Sequence, residues 1–144
     1  MKLKNINATI VLVFIVTTLI ASTAIADVIS DRKNGFRGNS VAIRAITKSI
    51  RSEDFQSIIK NAKKIEQWSS VMSEYFPVGS DEGDTNASQN IWLEFDSFKL
   101  SISENTNVAR ALILAAESKN ISEVKQLTSA LGSTCQSCHM KFKR

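Results

Sequence analysis

The chain has 144 residues, with 18 Lys and Arg against 14 Asp and Glu, a net charge of +4 and a mean hydropathy of −0.06. No block of basic residues stands out, which argues against nucleic acid as a partner, and the length suits one domain around one core. Two cysteines and a single histidine are present, and all three fall within five consecutive positions near the C-terminus, Cys135 to His139.

The first 26 residues, MKLKNINATIVLVFIVTTLIASTAIA, place Lys2 and Lys4 ahead of an apolar run from Ile10 to Ile20 and close on Ala24-Ile25-Ala26. A basic start, an apolar middle and a small-x-small end are the layout of a secretory signal peptide. The run is short for a bilayer span of about 20 apolar residues. Cleavage after Ala26 would leave residues 27–144 as a single domain of 118 residues, and losing Lys2 and Lys4 lowers the charge from +4 to +2. The product is expected to be exported, with no further membrane span.

From Val28 to Ile50, Ile29, Arg32, Phe36, Ile43 and Ile46 recur at three-, four- and seven-residue steps, the spacing of one helical face. Gly35 and Gly38 weaken this helix by about 1 kcal/mol each relative to alanine, and close approach of another backbone or a ligand would explain them. A second helix is predicted from Ser52 to Phe76, with Glu53 and Asp54 in its first turn. Its stripe is Phe55, Ile58, Ile59, Ala62, Ile65, Trp68 and Met72, and Pro77 ends it. PVGSDEGDTNASQN reads as the main loop. A third helix follows from Trp92 to Ser118, with SENTN as a weak middle where it distorts or breaks. Ser122 is expected to cap a fourth, with Glu123 in its first turn and Val124, Leu127, Leu131, Cys135, Cys138 and Phe142 on one face. Strand signals are absent. The expected fold is all-α, an antiparallel four-helix bundle.

Three chemistries compete for CQSCH. A redox disulfide needs an acidic, partly exposed thiol, usually at a helix N-terminus, whereas this pair sits at a C-terminal end where the dipole is negative. A structural zinc ion needs four ligands, and no further Cys or His exists to complete a set of three. Covalent haem uses every residue: two thiols three positions apart for the two vinyl groups, and the following histidine for the iron. C-x-x-C-H is the signature of c-type haem attachment. In an exported, otherwise cysteine-free helical chain it is the strongest reading.

With CxxCH within ten residues of the C-terminus of an exported all-α chain, the sequence resembles the cytochrome c′ family of periplasmic four-helix-bundle haem proteins. The resemblance spans residues 27–144. Beyond CxxCH it is carried by Arg32 four residues before Phe36, by FPVGSD, by TNASQNIW with a following Phe, and by CHMKFK. It implies one haem c per chain, covalently attached through Cys135 and Cys138, with His139 as the axial iron ligand. It further implies Arg32 at a haem propionate, Lys33 against the haem, Thr85 and Asn86 at the haem edge, Phe142 as the usual aromatic, and Lys143 in place of a frequent Arg beside the histidine. The family usually forms homodimers through its first two helices, where Phe55 and Ile59 could supply an apolar contact. Trp92 and Phe98 read as bundle packing.

The sixth iron position decides what such a haem does. An electron-transfer haem with six ligands needs a second strong donor, commonly Met or His. Low-spin members of the family carry Met where this chain has Phe36, which cannot ligate iron. Met140 is adjacent to His139, and Met72 belongs to the second-helix stripe. The expectation is therefore five-coordinate, high-spin iron beside an apolar pocket closed by Phe36, open to NO and CO. Two roles follow: electron transfer with periplasmic redox partners, and reversible binding or buffering of nitric oxide. A low-spin carrier resembling cytochrome c-556 is a weaker alternative, and no distal Arg or Glu is evident for a catalytic role.

Overall fold

The computed structural model describes the backbone of residues 4–144 and the side chains of residues 27–144; the expected leader, residues 1–26, lies outside the fully described part. The elements are α1 (Lys4–Arg51), α2 (Phe55–Val71), a 3-10 turn (Met72–Tyr75), α3 (Asn90–Leu93), α4 (Phe95–Glu117) and α5 (Ile121–Phe142). The four long helices form an antiparallel bundle, with α3 a single turn leading into α4. Among the described residues there is no strand, and no helix is long and apolar enough to cross a membrane.

Helix boundaries differ from the sequence expectation for a shared reason. The α1–α2 and α4–α5 connections each pass through one left-handed residue that is not glycine: Glu53 at φ 51° and Lys119 at φ 56°. At both, the next amide reaches back five residues, from Asp54 N to Ser49 O and from Asn120 N to Ala115 O, both at 3.0 Å. This closes the preceding helix as a C-terminal cap motif in which glycine is usual. The following helices therefore start elsewhere: α2 is capped by Asp54, two residues after its expected start at Ser52, and α5 by Asn120, not Ser122. Asp54 Oδ1 accepts from Ser57 N at 3.0 Å, and Asn120 Oδ1 accepts from Glu123 N at 3.2 Å.

The third helix also departs from expectation, breaking near its start and not at the weak middle. It begins as α3, reorganises at Glu94 (φ −127°) and continues as α4. SENTN is unbroken helix. Thr106 Oγ1 returns a hydrogen bond to Ile102 O at 2.9 Å, and Asn105 finds partners on two other helices, so neither competes with the backbone. Similarly, α2 tightens at Met72, five residues before Pro77, into a four-residue 3-10 turn.

The core has two chemically distinct halves. At the turn end, Ala42, Ile46, Ile58, Ala62, Ile65, Leu112, Ala116, Val124 and Leu131 form an aliphatic cluster. Each fully buried Ile or Leu there contributes about 1.5–3 kcal/mol. At the other end Met72, Phe76, Ile91, Phe98 and Phe142 are buried together, with Phe36, Trp68, Trp92 and Cys138 packed against them. Trp92 is the packing residue expected: its Nε1 donates to the carbonyls of Phe76 and Pro77, both at 3.1 Å.

The two helix-one glycines separate in role. A Cβ on Gly35 would lie 2.5 Å from three atoms of the Trp68 indole, so Gly35 is what lets that ring lie against α1. Nothing lies within 4 Å of the same position on Gly38. Gly35→Ala is expected to destabilise the protein by about 1–3 kcal/mol through overpacking, and Gly38→Ala to stabilise it by up to about 1 kcal/mol through helix propensity. Denaturant unfolding of the two holoprotein variants beside the parent measures both signs.

Candidate haem site

The aromatic half of the bundle encloses a cleft of about 350 Å³ between α1, the loop of residues 77–88 and the last turns of α5. Of the ten residues singled out from the sequence, nine line it: Arg32, Lys33, Phe36, Thr85, Asn86, Cys138, His139, Phe142 and Lys143. Cys135 lies on an adjoining cavity of about 170 Å³. Phe36, Ser40, Cys138 and His139 belong to the walls of both.

The loop is held over the cleft from two sides. Its far end pairs with the C-terminus: Ala87 bridges Lys143, Ser88 N donates to Phe142 O at 3.0 Å, and Arg144 N donates to Asn86 O at 2.8 Å. This brings Thr85 and Asn86 beside the end of α5. From α1, Arg32 reaches into the loop and is itself 3% exposed. Its Nη1 donates to Tyr75 O (3.3 Å) and Ser80 Oγ (3.1 Å), and its Nη2 to Ser80 O (2.8 Å) and Thr85 Oγ1 (2.7 Å). The guanidinium carbon lies 4.5 Å from the centroid of the Phe76 ring. Burial lowers the arginine pKa from its ordinary value. Every one of these partners is neutral, and among the described residues no carboxylate lies within ion-pair distance of Arg32. Lys33 points to the rim instead, pairing with Asp84 at 2.5 Å.

The two cysteines are free thiols. Burial pushes both upward, Cys138 to about 11 with Cys135 beside it adding to the shift; hydrogen bonding, that of Asn105 foremost, partly offsets the rise at Cys135. The argument against a reactive thiolate therefore holds, but burial raises the thiols where the sequence reading invoked the helix dipole. Burial, with a smaller contribution from Lys143, lowers the His139 pKa and favours the neutral imidazole that can bind a metal. The Phe36 and His139 rings, both lining the cleft, approach edge to face with centroids 6.3 Å apart and 66° between their planes. Phe36 also packs edge-on against Trp68 (5.7 Å) and Phe76 (6.5 Å), and Phe142 against Phe98 (5.2 Å).

These features fit a haem. Aromatic and aliphatic side chains supply an apolar slot, a buried cation without a counter-charge awaits an anion, the His139 imidazole and the Cys138 thiol line one wall, and Cys135 stands on the adjoining cavity. Among the described residues no three Cys, His, Asp or Glu side chains converge as a metal-ion cage would require, whereas thioethers to a flat ring need no such convergence.

Several lining residues were not singled out from the sequence. Phe98 serves the cleft as well as the core. Phe76 and Ile91 flank the loop and had only general apolar signals. Arg37, an exposed residue one position after Phe36, lines the larger cleft, although the sequence offered no evident distal arginine. Met72, assigned to the helical stripe, is indeed buried but also lines the smaller cavity.

Comparison with known proteins agrees with this geometry. The family model described as Cytochrome C′ matches residues 27–143. A cytochrome c′ from Rhodospirillum rubrum is 29% identical over 147 residues, covering 98% of this chain and 99% of its own. A solved cytochrome c′ from Shewanella frigidimarina superposes with TM-score 0.76 at 27% identity, over 83% of this chain and 96% of that one. A nitric oxide complex of a cytochrome c′ variant from Alcaligenes xylosoxidans, 19% identical, shares the fold with TM-score 0.75 over 83% of this chain and 95% of its own. Proteins of this family carry covalently bound haem c, typically one per chain. The chain belongs to the cytochrome c′ family.

Proposed function

We propose that residues 27–144 form a periplasmic haem c protein with five-coordinate, high-spin iron, which transfers electrons, binds small diatomic gases reversibly, or does both. The start of the family match at residue 27 supports removal of residues 1–26 as a leader. Cys135 and Cys138 would hold the haem as thioethers and His139 would be its axial ligand. Arg32 would meet a propionate, with Thr85 and Asn86 at the haem edge and Phe142 and Lys143 around the histidine. When bound, the haem supplies an iron that changes oxidation state and can accept a gas ligand.

The observation that carries this reading is Phe36. An apolar ring stands opposite His139, where a six-coordinate iron would need a donor. Phe36 also restricts the space that a gas ligand must enter. Nitric oxide is bound by the Alcaligenes variant, and the apolar walls here suit the same class of neutral ligand. No side chain is assigned a catalytic role. For a homodimer through α1 and α2, Phe55 and Ile59 are already half spent against the core, and Val41 and Val71 are the more exposed apolar residues of those helices.

The absorption spectrum of the reduced protein tests the iron reading. A broad, unsplit visible band is expected, and Met72→Leu should leave it unchanged although Met72 lines the smaller cavity. A sharp, split low-spin pair before any ligand is added would overturn the assignment. Phe36→Ala is expected to raise the CO association rate at least about tenfold, the equivalent of about 1.4 kcal/mol of barrier. A redox titration beside an NO dissociation rate separates the roles: fast electron exchange with weak NO binding favours the carrier.

A second prediction concerns the propionate partner. Lysine cannot reproduce the planar fork that reaches Tyr75, Ser80 and Thr85 together. Arg32→Lys is expected to lower stability by about 1–3 kcal/mol and to speed proteolysis within residues 77–88, read by denaturant midpoint and by mapping the first cut.

A further inference from the structure

Asn105 is a buried amide in the middle of α4, 7% exposed, and it touches side chains of two other helices. Ser69 of α2, fully buried, donates from Oγ to Asn105 Oδ1 at 2.7 Å. Asn105 Nδ2 donates to Thr134 Oγ1 at 2.8 Å and lies 3.6 Å from Cys135 Sγ, both on α5.

The direction of this relay is determined by its last member. Thr134 gives its one hydroxyl proton to the carbonyl of Leu131 at 2.8 Å, so towards Asn105 it can only accept. Asn105 must then turn its NH₂ group to α5 and its oxygen to Ser69, which commits the Ser69 proton in turn. One amide hydrogen serves Thr134 and the second is left for the sulphur of Cys135. Among the described residues no side-chain donor reaches Cys138 Sγ as Asn105 reaches Cys135 Sγ. The two cysteines of the pair are therefore held differently, one by packing alone and one by packing and a directed donor.

We propose that Asn105, oriented by Ser69, is the positioning residue for the Cys135 thioether: it holds that sulphur so that the thiol meets one haem vinyl group. The inference rests on Cys135 and Cys138 being the attachment pair. In the step concerned, S–H adds across the vinyl C=C. Sulphur bonds to the carbon next to the porphyrin ring, the thiol hydrogen goes to the terminal carbon, and nothing is oxidised or reduced. Sulphur is a weak acceptor, so the contact governs direction rather than strength. The contact also outlasts the reaction, because a thioether sulphur still accepts.

The test is made on full-length protein matured in a host that attaches haem c. Free thiols are alkylated and located by peptide mass, and the pyridine haemochrome band reports how many vinyl groups survive. The parent should show two thioethers; if it does not, the attachment reading fails, not the role of Asn105. Asn105→Leu, close in shape but without donor or acceptor, is expected to raise several-fold the fraction with one free thiol, located at Cys135. Ser69→Ala should give a smaller rise at the same cysteine. Leu112→Ala, a core truncation at the aliphatic end, should lower yield while both thioethers remain intact. Full double attachment in Asn105→Leu, or free thiol divided evenly between Cys135 and Cys138, would overturn the proposal. If Asn105→Leu accumulates no holoprotein, Ser69→Ala decides, and absence of free Cys135 in it overturns the proposal as well.

Discussion

Arg32 places a full positive charge where water barely reaches, and spends four of its five N–H groups on neutral oxygens of the 3-10 turn and the following loop. A buried ion is costly to keep without an opposing charge, and costly to leave without hydrogen bonds. The loop satisfies the second requirement. A carboxylate of the cofactor would satisfy the first. Much of the cofactor end depends on this arrangement: Ser80 is buried because it faces the guanidinium, Thr85 is turned inward by it, and Thr85 Oγ1 in turn accepts from Ala87 N at 3.1 Å. Ala87 then pairs with the residue that follows α5. One α1 side chain thus ties together the loop and, through it, the helix bearing CxxCH.

The division of the core into aliphatic and aromatic halves follows the same logic. Branched aliphatics interlock well where helices meet helices, and they dominate near the two short turns. Flat rings suit the walls of a slot that must receive another flat ring, and Phe36, Phe76, Phe98 and Phe142 gather there. Gly35 belongs to this economy of shape, since its missing side chain is the space that Trp68 fills.

Periodicity carried most of the fold because it depends on nothing but which residues avoid water. Ile29, Arg32, Ile46, Ile58, Ile65, Val124 and Leu131 are all buried as their spacing predicts. The caps were harder to place. Ser52 and Ser122 are sound N-cap residues taken alone, but Glu53 and Lys119 adopt the conformation usually left to glycine, and the turns shift accordingly. At the site, CxxCH and Arg32 announce themselves by residue type and position. Asn105 could not, since an asparagine in a weak helical stretch looks like a flaw until α2 and α5 are brought beside it. Arg37 and Ile91 had no distinguishing local signal either, because which of many exposed or apolar residues borders the cleft is decided by how the loop folds back.

Going round the bundle, α1 packs on α2, α2 on α4 and α4 on α5, but α5 and α1 meet only sparsely. The ring of helix–helix interfaces is thus left with one seam open, and the cleft lies along it, between Phe36 of α1 and His139 of α5. A haem held there would act as mortar in that seam as well as a reagent. A prosthetic group bonded to α5 through Cys135 and Cys138 and gripped by Arg32 of α1, as proposed, would close the circuit of packing, and much of its binding energy would also be folding energy. A loosening of the seam would be felt first as a change in ligand access, before any loss of helix.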